Sequence, residues 1–240
     1  MFVTLLYHRV DDAIADPIAV GRQAFAAQMQ WLHAEGYHAL TIAAAAAIAQ
    51  GVQTAPPRAV LITFDDGYAD NVTQALPILA QHGLCATLFV ISAYIGQRNR
   101  WNPKACYDAW HLDWAGLHAW CAAGGDIGGH SHTHHCMTRL AADELSAAVR
   151  VNKTLLEEGL GRELLGFSYP YGVYNAAVQA AVQACYALAF TDNAGVWAPT
   201  ADRYAINRIS VHPAWTLQEF RKRVTVMGKL AARERERLGD

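Results

Sequence analysis

Short apolar runs alternate repeatedly with segments of helical spacing along this sequence, and this alternation leaves few folds open. Ala59–Phe64 reads AVLITF, a pattern typical of a strand that is buried on both faces of a parallel sheet. A second run of this kind covers residues 86–91, and between the two runs residues 71–82 have helical spacing and end before Gly83. Repeated β-then-α units of this kind predict a mainly parallel sheet.

Similar units extend along most of the chain. Further strands are expected over residues 2–7, 165–169, 187–191 and 206–211, and further helices over residues 25–34, 114–123, 143–158, 176–185 and 216–237. The helix over residues 143–158 is expected to end at Gly159. About seven units in 240 residues favour a closed or nearly closed α/β barrel over an open doubly wound sheet. No internal repeat or linker stands out, so one domain over residues 1–240 is expected.

Composition and charge exclude several classes of protein. The chain is 53% apolar with a formal net charge of −2, so a globular core is expected and nucleic acid is not an expected partner. The N-terminus lacks a basic leader, and the apolar residues 39–50 are too few to span a membrane. The five cysteines are odd in number without a CxxC pair, which indicates reduced thiols. A soluble cytoplasmic protein is therefore predicted.

Two adjacent carboxylates, Asp65 and Asp66, directly follow the apolar run of Ala59–Phe64. In βα barrels the reactive groups lie at the C-terminal ends of strands. Asp-Gly is also common turn chemistry, so the pair by itself is a weak signal. Two neighbouring carboxylates repel each other, however, and a divalent cation would keep both ionised at neutral pH.

A histidine cluster follows at residues 130–135, where four of six residues are histidine. His130 and His134 are four apart and can place their imidazoles on one side of a helical turn, a spacing known from zinc sites. His132 and His135 are expected to point elsewhere. Two imidazoles and one carboxylate leave coordination positions open for water, as hydrolytic zinc requires.

Taken together, these segments resemble the polysaccharide deacetylase family, also called the NodB-homology domain or carbohydrate esterase family 4. The motifs that carry the resemblance are TFDDG at residues 63–67, HSHTH at residues 130–134 and PYG at residues 170–172. The opening LLYHRV, followed by a helix and Gly36-Tyr37, looks like the branch that acts on bacterial exopolysaccharides. The resemblance spans nearly the whole chain and implies a distorted (β/α) barrel with about seven mainly parallel strands.

The resemblance also implies an activity, the metal-dependent removal of N-acetyl groups from a saccharide. Carried over by position, Asp66, His130 and His134 bind the metal, Asp65 is the catalytic base, and the backbone N–H of Tyr171 binds the oxyanion. Zn²⁺ is the expected ion, and the same ligands would accept Co²⁺, Ni²⁺ or Mn²⁺.

Other positions depart from the family pattern. Where the family often has an arginine that orients the base, this chain has Ser168, and Arg208 is the candidate substitute, with a plain surface salt bridge as the alternative. The fourth motif is matched only loosely by Asp192 and Trp197. In the fifth, His212 is the nearest match and the candidate general acid, which an amide needs because an amine anion is a poor leaving group.

Contacts with the saccharide are expected from Pro170, Tyr171, Trp197 and His8, the last of which ends the first strand. Other aromatic residues that could stack on a sugar face are Tyr7, Tyr68, Trp101 and Trp110, although most tryptophans are expected in the core.

Three other functions stay open at this level. An O-acetyl esterase or a deformylase on a lipid-linked sugar would use the same metal ligands. A catalytically inactive sugar-binding domain is disfavoured because Asp65, Asp66, His130 and His134 are all present. A histidine-rich metal-handling protein would not need the Asp-Asp pair on another strand. The glycan and the oligomeric state are not specified by any motif.

Overall fold

The computed structural model describes residues 1–12, 16–100, 109–198 and 201–238, with side chains up to residue 230. The expectations for Trp101 and Cys106 therefore lie outside the described residues. The strands are β1 (Val3–Tyr7), β2 (Arg9–Val10), β3 (Ala19–Val20), β4 (His38–Ala39), β5 (Ala59–Phe64), β6 (Thr87–Val90), β7 (Asp126–Gly129), β8 (Gly166–Ser168), β9 (Leu188–Phe190) and β10 (Ile209–Ser210). The helices are α1 (Arg22–Ala34), α2 (Ile42–Ala49), α3 (Leu76–Gln81), α4 (Trp114–Ala122), α5 (Ala142–Leu160), α6 (Ala176–Gln183) and α7 (Leu217–Leu238).

The main sheet is parallel and curled. Its strand order is β10-β1-β5-β6-β7-β8-β9, with β4 paired to the start of β5. Residues 206–210 join the two ends of this order, because Ile206 forms a parallel bridge with Phe190 and Ile209 pairs with Leu5 of β1. The distorted, mainly parallel α/β barrel expected from the sequence is therefore confirmed.

Alternate residues of β5 face opposite sides of the sheet, as the two-residue period of a strand requires. Val60, Ile62 and Phe64 pack outward against the helices, in the same cluster as Phe25 of α1 and Trp120 of α4. Leu61 belongs to the second cluster, which fills the barrel and includes Phe2, Phe89, Leu188, Phe190 and Ile206. Continuing this alternation, Thr63 and Asp65 face the barrel interior above the apolar cluster.

The helices differ from expectation in three places. Residues 71–75, expected as the first part of one α-helix, form a π-helical turn before α3. The alanine-rich residues 42–49 form α2, a helix that the sequence pattern did not predict. Helix α5 continues past Gly159 and ends at Gly161, which has the left-handed φ of 64° common at helix ends. Gly159 is needed for packing, because a Cβ there would lie 2.2 Å from a ring atom of Trp114.

In the described part of the chain, no helix is both long and apolar enough to cross a membrane. Cys85, Cys121, Cys136 and Cys185 are free and partly exposed.

Candidate metal centre

The turn after β5 gives its two carboxylates different positions. The strand ladder extends to Asp65, whose N–H donates to the carbonyl of Tyr7 at 3.0 Å. Asp66 and Gly67 then take left-handed φ values of 74° and 76°, which aspartate tolerates better than most residues. Both carboxylates are only 2% exposed. The turn therefore leaves Asp65 inside the barrel and sends Asp66 to a separate point on the rim.

His130 and His134 approach each other without a helical turn, so that detail of the sequence expectation is wrong. His130 extends the β7 ladder, and the chain reverses through left-handed residues at Ser131 (φ 61°) and His134 (φ 58°). The Ser131 hydroxyl accepts the N–H of His134 at 3.0 Å. Helix α5 supports the same loop, since the buried Asn152 amide donates to the Ser131 carbonyl at 2.7 Å.

One carboxylate and two imidazoles meet at the rim. Asp66 Oδ1 lies 3.3 Å from His130 Nε2 and 3.4 Å from His134 Nε2, and the two nitrogens are 3.2 Å apart. A tetrahedral zinc site with bonds of about 2.0–2.1 Å has ligand atoms about 3.3–3.4 Å apart. Asp66 Oδ1 is also buried without a hydrogen bond from a described residue. These three side chains fit a divalent ion such as zinc.

A hydrogen bond fixes the orientation of one imidazole. His130 Nδ1 lies 2.7 Å from the carbonyl oxygen of Ser168, and because a carbonyl only accepts, Nδ1 carries the proton. The lone pair is then on Nε2, the atom that faces Asp66 and His134. Such an outer hydrogen bond is what orients histidine ligands in metal sites.

Burial and charge shift the pKa values of the three side chains. Burial acts to raise the pKa of Asp66, but the neighbouring His130 and His134 imidazoles lower it well below its ordinary value. Burial lowers the pKa of His134 to about 3, so this imidazole is neutral at pH 7, the form that binds metals. The pKa of His130 is raised against burial by Asp65 and Asp66. The site thus attracts positive charge.

Arg208 lies inside the barrel and binds Asp65 with both arms of its guanidinium. Nη1 is 2.8 Å from Asp65 Oδ1 and Nη2 is 2.7 Å from Oδ2. The Ser168 hydroxyl donates to the same Oδ2 at 2.9 Å, and Asp192 accepts from Nη2 at 2.7 Å. Burial acts to raise the pKa of Asp65, but the Arg208 charge lowers it below the ordinary value. Arg208 is fully buried, so the alternative of a surface salt bridge is wrong.

Several other expected site residues lie on the same rim. The Tyr171 ring stands edge-on to the His134 ring at 4.6 Å, and Tyr171 is 52% exposed with a left-handed φ of 61°. Pro170 is buried at the start of this turn. His8 follows β1 and lies close enough to Asp65 and Asp66 to interact electrostatically with both carboxylates. His212 follows β10, is exposed, and accepts the N–H of Ala214 through Nδ1 at 3.1 Å.

Trp197 does not lie at the rim, so its expected role in saccharide binding is wrong. It is 1% exposed, its ring centroid is 5.4 Å from that of Phe2, and the two residues form a backbone bridge. Phe2 precedes β1, so this contact lies at the N-terminal end of the barrel. Tyr7 and Tyr68 are buried as well, whereas Trp110 is 50% exposed.

The sequence reading missed His111. This side chain is 4% exposed and its Nδ1 lies 2.9 Å from the carbonyl oxygen of Asp66. A single histidine in the segment AWHLDW has no partner at a recognisable spacing, so no sequence signal marks it.

A parallel barrel that carries one carboxylate and two imidazoles together on its rim has the architecture of a metal-assisted hydrolase. The family model described as polysaccharide deacetylase matches residues 52–189, more than half of the chain. The chain therefore belongs to the polysaccharide deacetylase family, and it is a hydrolase that acts on amide bonds.

Two relatives agree with this assignment, and a solved structure shares the fold. YxkH of Bacillus subtilis (strain 168), named as a polysaccharide deacetylase, is 29% identical over 90% of this chain and 73% of its own. The poly-β-1,6-N-acetyl-D-glucosamine N-deacetylase of Staphylococcus epidermidis is 26% identical over 87% of this chain and 78% of its own. The structure of IcaB from Ammonifex degensii superposes with a TM-score of 0.82 at 24% identity, covering 93% of this chain and 96% of that one, which shows the shared fold.

Proposed function

We propose that this chain removes N-acetyl groups from a saccharide with the help of a divalent metal ion, most suitably Zn²⁺. The observation that carries the proposal is the convergence of Asp66, His130 and His134 within 3.2–3.4 Å of one another, beside the separately held Asp65. Two imidazoles and a carboxylate are a ligand set of hydrolytic zinc, and Co²⁺, Ni²⁺ or Mn²⁺ would also suit them.

When bound, the ion would lower the pKa of water and polarise the acetyl carbonyl. Asp65 is assigned as the base that takes the proton of the attacking water, since it adjoins Asp66 in sequence yet is held by other partners. Arg208 and Ser168 fix the plane of the Asp65 carboxylate. Each carboxylate oxygen has two acceptor sites, so these bonds leave capacity for the proton of water.

The developing oxyanion would be bound by the backbone N–H of Tyr171. The side chain of the same residue contacts the His134 ring. One donor of this kind is typically worth about 3 kcal/mol. His212 is assigned as the acid that protonates the departing nitrogen. Only the imidazolium form of His212 can fill this role, because a neutral imidazole that gave up its remaining proton would become a strongly basic imidazolate.

The proposed substrate is an N-acetylated glycan, as in the name of the Staphylococcus epidermidis relative. Tyr171 and Trp110 are half-exposed aromatic residues in the segments that flank the metal ligands, and aromatic faces stack on sugar rings. His8 and Pro170 complete the proposed contacts. A location in the cytoplasm stays a prediction.

The test is acetate release from N-acetylated and O-acetylated saccharides, with and without a chelator, beside the Asp65→Asn variant. We expect release from N-acetylated substrates that the chelator and the variant both abolish. Chelator-insensitive release would refute the metal mechanism, and the absence of release from every substrate would favour an inactive sugar-binding domain.

The His212 assignment separates the two kinds of acetyl substrate. An ester leaving group needs less acid assistance than an amine. We expect His212→Ala to lower the turnover number far more than zinc affinity. Equal losses in both would remove the acid role, and O-acetyl release that survives the substitution would favour the esterase alternative.

A further inference from the structure

We propose that His111 is a positioning residue for the metal centre and acts by holding the backbone of Asp66. Its Nδ1 is 2.9 Å from the carbonyl oxygen of Asp66, and Nδ1 must be the donor because a carbonyl only accepts. The proposal deepens the proposed function, since it concerns the affinity of the site for the metal and adds no ligand.

The conformation of Asp66 explains why this carbonyl needs a donor. With a φ of 74°, Asp66 leaves the direction of β5, so its peptide group cannot continue the strand ladder. A buried carbonyl without a donor is costly. The His111 side chain supplies this donor. The carbonyl that accepts it belongs to Asp66, whose own side chain faces His130 and His134.

The segment that carries His111 is itself bound to the same turn. Leu112 N–H donates to the Gly67 carbonyl at 2.8 Å, and the Trp110 carbonyl accepts Ala69 N–H at 2.8 Å. The backbone thus runs antiparallel to the turn, with Tyr68 opposite His111. These backbone bonds hold position 111 within reach of Asp66 whichever side chain stands there.

The imidazole ring has little freedom to move. It stacks on the buried Tyr68 ring with centroids 4.8 Å apart and planes 21° apart, and the Tyr94 ring lies 5.6 Å away. A rigid donor fixes the Asp66 peptide plane, and this plane determines where the carboxylate points. Losing an outer partner of a metal ligand typically lowers metal affinity by about 10- to 100-fold.

The experiment compares three substitutions of His111 that separate the hydrogen bond from ring packing. In His111→Asn the amide nitrogen can occupy the place of Nδ1 and keep the bond, whereas His111→Gln presents its amide near the place of Nε2. His111→Phe keeps a ring on Tyr68 without any donor. His118→Asn, on the exposed face of α4, controls for the loss of one histidine. Zinc affinity is measured by competition with a chromophoric chelator, and folding by thermal unfolding of the chelator-treated proteins.

We expect about 10- to 100-fold weaker zinc binding in His111→Phe and His111→Gln, and affinities within about threefold of the unsubstituted protein in His111→Asn and His118→Asn. Zinc affinity unchanged in His111→Phe would overturn the positioning role. Equal losses in the Asn and Gln variants would also overturn it, and this comparison remains valid if the Phe variant does not fold. If the unsubstituted chain bound no zinc, the proposed metal centre itself would fail, a result distinct from the other two.

Discussion

The guanidinium of Arg208 spans the barrel interior and holds both oxygens of the Asp65 carboxylate, at 2.8 Å and 2.7 Å. The same guanidinium donates through Nε to the Thr191 carbonyl at 2.9 Å and lies 5.9 Å from the centre of the Phe89 ring. Its position therefore depends on three strands. A forked contact of this kind fixes both the place and the plane of a carboxylate.

Two substitutions of Arg208 should separate its effect on activity from its effect on stability. Lysine keeps the charge but cannot form the fork, so Arg208→Lys should lower kcat by about 10- to 100-fold with zinc affinity unchanged. Arg208→Met leaves a buried carboxylate without its cation, which typically costs about 3–5 kcal/mol of folding free energy. Steady-state kinetics and urea unfolding measure the two effects. A lysine variant with full kcat would contradict the orienting role.

The Asp65 carboxylate should make stability depend on pH. Its pKa in the folded protein lies below the ordinary 3.8, so ionised Asp65 contributes stability above about pH 4, and this contribution is lost as pH falls through the folded pKa. In chelator-treated protein, the unfolding free energy of the unsubstituted chain minus that of Asp65→Asn should therefore increase from pH 2 to pH 5 and then level off. A difference independent of pH would show that the Arg208 contact does not lower this pKa.

Loss of the proposed base should leave the metal in place. We expect Asp65→Asn to lower kcat by about 10²- to 10⁴-fold while one equivalent of zinc still binds, whereas His134→Ala should abolish zinc binding at micromolar concentrations. Metal analysis after dialysis distinguishes the two variants. Loss of zinc from Asp65→Asn would identify this carboxylate as a ligand.

The Asn152 side chain should stabilise both the barrel and the histidine loop. Its Nδ2 donates to the carbonyls of Val90 and Ser131 at 2.9 and 2.7 Å, and it is fully buried. Asn152→Ala leaves the buried Ser131 carbonyl without its donor, at a cost of about 1–3 kcal/mol, whereas the Val90 carbonyl keeps the N–H of His130. Urea unfolding should show a loss in this range or above, with weaker zinc binding because Ser131 holds the His134 backbone. A loss of stability with normal zinc affinity would limit Asn152 to a structural role.

Trp110 should matter for long substrates. Its half-exposed ring could stack on a sugar beyond the one that reacts. In that case Trp110→Ala should raise KM by about fivefold or more on an N-acetylated oligosaccharide, because an aromatic contact of this size is worth about 1 kcal/mol. An N-acetylated monosaccharide, which cannot reach both sites, is the internal control. Equal changes for both substrates would argue against a separate sugar contact.

Structural elements that depend on local pattern are predictable from the amino-acid sequence. The apolar run of β5 and the alternating units predicted a parallel barrel, and chemistry at strand ends predicted that Asp66, His130 and His134 would share a rim. These inferences succeed because strand burial and the position of strand ends follow from residues that are neighbours in the chain.

Contacts between residues that are distant in the chain become visible only in the folded protein. The resemblance offered Arg208 as a residue that orients Asp65, but the two are 143 positions apart, and only the folded chain excludes a surface salt bridge and shows the forked contact. Trp197 and Trp110 are indistinguishable by type, yet barrel closure buries the first against Phe2 and leaves the second exposed. His111 is bound to Asp66 across 45 positions. Side-chain packing and hydrogen bonding in the folded chain fix such relationships, because they depend on which segments the sheet brings together.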